Sequence, residues 1–83
     1  MSDPLAVELE SAAAELVTSY REAVRRGAPD KEANAAAVSV GRALEAIGRA
    51  KRSLHPETAW ETAVADVADA RKAMAQLSTG AAS

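Results

Sequence analysis

The chain of 83 residues predicts an all-α fold, an up-down-up bundle of three helices. Three observations carry this. Apolar residues recur at alternating steps of three and four in three long segments, the period of a helix with one buried face. Gly27-Ala28-Pro29 and Ser53-Leu54-His55-Pro56 interrupt that period, as turns do. Twenty-two residues are alanine, almost all inside the three segments, and alanine enters a helix at little entropic cost. No strand pattern competes.

The first helix is predicted over residues 4–26. Leu5, Leu9, Ala12, Ala13, Leu16, Val17, Tyr20, Ala23 and Val24 fall within about 140° of one another at 100° per residue. Glu8, Glu15, Thr18, Glu22 and Arg25 take the opposite side. Asp3 and Pro4 suit the N-cap and first helical positions, because proline's missing N–H has no partner to lose there. Gly27, which tolerates the left-handed C′ conformation, and Pro29 end the helix.

The second helix is predicted over residues 30–53, capped by Asp30. Its stripe is Ala33, Ala36/Ala37, Val40, Ala43/Leu44, Ile47, Ala50 and Leu54. Gly41-Arg42-Ala43 recurs as Gly48-Arg49-Ala50. Each glycine costs about 1 kcal/mol against alanine in a helix interior, so close approach of a neighbouring helix is the expected reason for both. The third helix is predicted over residues 56–77, with Ser53 or His55 capping and Pro56 in the first turn. Trp60, Ala63/Val64, Val67, Ala70/Arg71, Met74 and Leu77 form its stripe, and Glu57 and Glu61 complement its positive end. Residues 78–83 read as a flexible tail. Turns of three or four residues make successive helices antiparallel, and residues 1–83 form a single domain.

The core is thin. Only 18 side chains are sizeable and apolar: seven Val, six Leu, two Met and one each of Ile, Trp and Tyr. A chain this short buries roughly 60–65 % of the surface its unfolded form exposes, and small domains usually add disulfides, a metal or a second chain. There is no cysteine and one histidine, His55. Partner binding or self-association is therefore the expected supplement, and the bundle is expected to be a homo-oligomer or to dock a different protein.

Charge is uneven: −4 over residues 1–24, +4 over 25–55 and −2 over 56–83. Arg42, Arg49 and Arg52 share an outward face of the second helix with Glu45 and Val38, and these five are the candidate partner-binding residues. An acidic protein surface suits them better than a nucleic acid, given a calculated pI of 5.3 and almost no aromatics for stacking. Tyr20, Trp60 and Arg71 are candidate interface or core anchors, beside Leu9, Leu16, Val40, Ile47 and Val67. Arg71 sits on the third stripe, where burial would demand a carboxylate such as Glu15 or Glu22. Lys51 lies on the buried side of the second helix, where an antiparallel third helix would bring it near Trp60.

Nothing in the chain assembles a catalytic site. His55 has no nucleophile at a recognisable spacing, and the pairs Glu57/Glu61 and Asp66/Asp69 fall on the polar side of the third helix. A di-metal bundle needs about four inward carboxylates with Glu-x-x-His motifs, and none occurs. No catalytic residue, metal or cofactor is expected, and no membrane span, since no run of apolar residues is long enough. Without a secretory signal a cytoplasmic protein is expected. The expected function is a non-enzymatic protein–protein interaction module, an adaptor or inhibitor. A nucleic-acid-associated protein and a small metal- or ligand-binding bundle are the alternatives.

Overall fold

The computed structural model describes residues 4–82, and they form three helices: α1 (Pro4–Arg25), α2 (Asp30–Arg52) and α3 (Pro56–Ala82). Helices of 22–27 residues are about 33–40 Å long at 1.5 Å per residue. That nearly matches the molecule's long dimension of 43 Å, so all three run along it. Every pair of helices is in contact, as in a three-helix bundle.

The ends of the helices follow from specific bonds. Gly27, with φ of +91°, closes α1. The Ala28 N–H donates to the Ala23 carbonyl and the Gly27 N–H to the Val24 carbonyl, both at 3.0 Å. These are the two bonds of a Schellman motif. The cap of α2 differs from expectation. Asp30 is the first helical residue, Pro29 occupies the N-cap position, and no side chain caps the end. Asp30 and Glu32 instead place negative charge in the first turn, which the helix dipole favours. Asp3, the expected cap of α1, lies outside the described residues.

At the second turn the Ser53 hydroxyl accepts a bond from the His55 N–H at 3.0 Å, and the His55 carbonyl accepts from Ala59. The serine thus shapes the turn and does not cap α3. At its far end α3 continues to Ala82, five residues beyond the predicted 77. One glycine in an alanine-containing segment weakens a helix without stopping it. Ser83 lies outside the described residues.

Among the described residues eighteen apolar side chains are buried, and ten are alanine. The larger eight are Leu9, Leu16, Val40, Ile47, Trp60, Val67, Met74 and Leu77. The most extensive contact is between α2 and α3, which bring Ala36, Ala43, Ala63 and Ala70 to complete burial. Alanines at such positions let two helix backbones approach closely. α1 contributes Leu9 and Leu16, with Tyr20 partly buried against the same cluster.

Several stripe residues fall outside the core. Val24, Leu44 and Val64 are each more than 40 % exposed, and Leu54 almost completely so. Leu54 follows the end of α2, where helical spacing no longer applies. Of the ambiguous pairs, Ala43 and Ala63 point inward while Leu44 and Val64 lean out. Ala46, absent from the predicted stripe, is buried. Among the described residues seven large apolar side chains are left at the surface: Leu5, Val7, Val24, Val38, Leu44, Leu54 and Val64.

The glycines of α2 do not receive a neighbouring helix. A Cβ on Gly41 would meet nothing within 4 Å, and one on Gly48 would meet only the Arg52 guanidinium, at 3.5 Å. Gly41→Ala is therefore expected to stabilise the isolated chain by about 1 kcal/mol, the difference in helix propensity. Urea denaturation checks this, and destabilisation would contradict the open space seen at Gly41.

Candidate functional site

The outward residues of α2 divide between two sides. Arg42, Glu45 and Arg49 line a cleft of about 460 Å³ between α2 and α3, together with Ala46, Ala59, Thr62 and Asp66. The helices are antiparallel here, so Arg42 shares one end of the cleft with Asp66 and Arg49 the other with Ala59. Arg52 belongs to a different surface, because its guanidinium folds back over Gly48 on the same helix. Val38 is 56 % exposed and does not line the cleft. Of the five candidate residues, the structure thus gathers Arg42, Glu45 and Arg49. Two carboxylates in the same cleft make it a mixed-charge surface, a poorer fit to phosphates than three convergent arginines would be.

The anchors separate likewise. Trp60 is buried and Tyr20 partly so, both within the core. Arg71 is exposed, which relieves the need for a buried partner. It shares a cleft with Glu8 and Glu15 but forms no ion pair with either among the described residues, and Glu22 bonds Arg26 at 2.9 Å. Lys51 pairs with Glu10 of α1. That pair is about half exposed, so its contribution is under about 1 kcal/mol.

A second feature escaped the sequence reading. Between α1 and α3 lie two clefts of about 450 and 490 Å³ that share Leu5 and Val64 and so form one furrow. Its floor is Leu5, Leu9, Ala12, Trp60 and Val64, closed at one end by Pro56. Its edges carry Glu8 and Glu15 from α1 and Glu57 and Glu61 from α3, with Arg71 beside Glu15. α1 and α3 run parallel, bringing the N-terminal turns of both to the same end of the bundle. That places Leu5 beside Trp60 across more than fifty positions of sequence.

Among the described residues, no three His, Asp or Glu side chains gather closely enough to hold a metal ion. No helix of the described residues is long and apolar enough to cross a membrane. No family model matches the chain, and no curated protein or solved structure does.

Proposed function

We propose that the chain is a non-enzymatic protein-interaction module that offers a helix-lined surface to a different polypeptide. The observation that carries this reading is the distribution of large apolar side chains, seven exposed against eight buried among the described residues. Single exposed apolar residues are ordinary on any protein. Here, however, the alanine-rich interior leaves much of the molecule's capacity for apolar contact on its outside. A fourth helix laid between α1 and α3 would cover two of them, Leu5 and Val64, the mode by which amphipathic helices fill grooves.

A second reading, self-association, is favoured by one observation. Ala37, Gly41, Leu44 and Gly48 follow steps of four, three and four along the outer edge of α2, and Gly41 faces open space. Close backbone approach from a second copy would use that space. Nucleic-acid recognition is supported less well, because Arg42 and Arg49 share their cleft with Glu45 and Asp66.

The test is recovery of the tagged chain from its native cells beside two folded variants, Leu5→Ser/Val64→Ser and Arg42→Ser/Arg49→Ser. A different protein at a stoichiometric level, lost from one variant and kept by the other, is expected. The wild-type chain recovered alone, at its native concentration and as a monomer, would contradict the reading.

A further inference from the structure

We infer that the furrow between α1 and α3 binds a basic amphipathic helix of a partner protein. The inference rests on the interaction reading above and adds the place and the chemistry of the partner. The floor is apolar, with Leu5 and Val64 exposed and the buried Trp60 beside them. Four carboxylates, Glu8, Glu15, Glu57 and Glu61, stand along its edges against the single guanidinium of Arg71.

Carboxylates on both edges select the partner. A helix with acidic flanks would set like charges against Glu8 and Glu57 from two sides, whereas lysine or arginine flanks meet opposite charge on both. The rest of the molecule adds to this polarity, because α2 carries five basic against three acidic side chains. A cationic partner is therefore drawn to the acidic α1/α3 side in preference to the mixed-charge cleft beside α2. From Leu5 to Glu15 the furrow follows α1 for about 15 Å, which accommodates about ten residues of a docked helix. Apolar residues at i, i+4 and i+7 of that helix would lie over Trp60, Val64 and Ala12 in turn.

The experiment uses the full chain and two synthetic peptides of about fourteen residues, each with leucines at helical spacing. One carries lysine at every flanking position and the other glutamate. Binding is followed by fluorescence of Trp60, the single tryptophan, and by backbone amide shifts. The lysine peptide is expected to bind, with shifts centred on Leu5, Trp60 and Val64. The double variant Glu15→Lys/Glu61→Lys changes one exposed residue on each edge, away from the first helical turns. It should retain wild-type helicity, weaken the lysine peptide about tenfold, and strengthen the glutamate peptide.

Equal binding of both peptides, no binding of either, or shifts centred on Arg42 and Arg49 would overturn the assignment. The interaction reading itself is judged separately: a partner recovered from cells that the Arg42→Ser/Arg49→Ser variant loses and the Leu5→Ser/Val64→Ser variant keeps would uphold that reading and overturn the furrow assignment.

Discussion

Trp60→Ala is expected to unfold most of the chain at room temperature. Trp60 is 8 % exposed and belongs to the continuous core cluster. Truncating a buried tryptophan typically costs about 3–5 kcal/mol, through lost transfer free energy and the cavity left behind. A single hydrophobic core in a domain of this size rarely supplies more than about 3–5 kcal/mol in total. The core cluster has little side-chain volume to redistribute into the gap, because ten of its eighteen buried members are alanines. Circular dichroism should show loss of most helical signal, and Trp60→Phe should retain it. A Trp60→Ala chain that stayed helical and melted cooperatively near the wild-type temperature would show that the tryptophan is peripheral to the fold.

The second large effect comes from adding volume. Ala43 is completely buried on α2, the helix in most extensive contact with α3. Ala43→Leu introduces three carbons where the packing has no space, and overpacking of this kind costs about 1–3 kcal/mol or more. Ala35→Leu adds the same atoms on the exposed side of the same helix and should change stability by less than about 0.5 kcal/mol. Urea denaturation of the two variants beside wild type measures the difference. Equal midpoints would mean that α2 and α3 are not held together by alanine contacts.

These two residues also show what the sequence reveals. Helical spacing identified both Trp60 and the Ala43/Leu44 edge as belonging to an apolar stripe. It could not decide which member of an adjacent pair points inward, because that depends on where the neighbouring helices lie. In the bundle Ala43 and Ala63 take the interior while Leu44 and Val64 turn out. Terminal chemistry was legible at Gly27, whose left-handed φ is a local demand on one residue. It was not legible at Asp30, where proline already fixes the backbone at the N-cap position.

Contacts between helices were the least accessible. The Lys51–Glu10 pair and the meeting of Leu5 with Trp60 both depend on the register of helices distant in sequence. Arg42, Glu45 and Arg49 share a helix and line one cleft, and their common side is legible because i, i+3 and i+4 neighbours need no tertiary information. Arg52 follows Arg49 by three positions, yet its side chain turns the other way and covers Gly48. Backbone periodicity alone leaves that choice of direction open.

The central claim is that three helices suffice for folding while their surface awaits a different protein. Light scattering over a hundredfold concentration range, with thermal melts at the same concentrations, tests it most directly. A monomer that folds cooperatively and melts at one temperature throughout is the expected result. A dimer whose melting temperature climbs with its own concentration, as mass action requires when association stabilises the fold, would contradict it and turn attention to the Gly41 edge of α2.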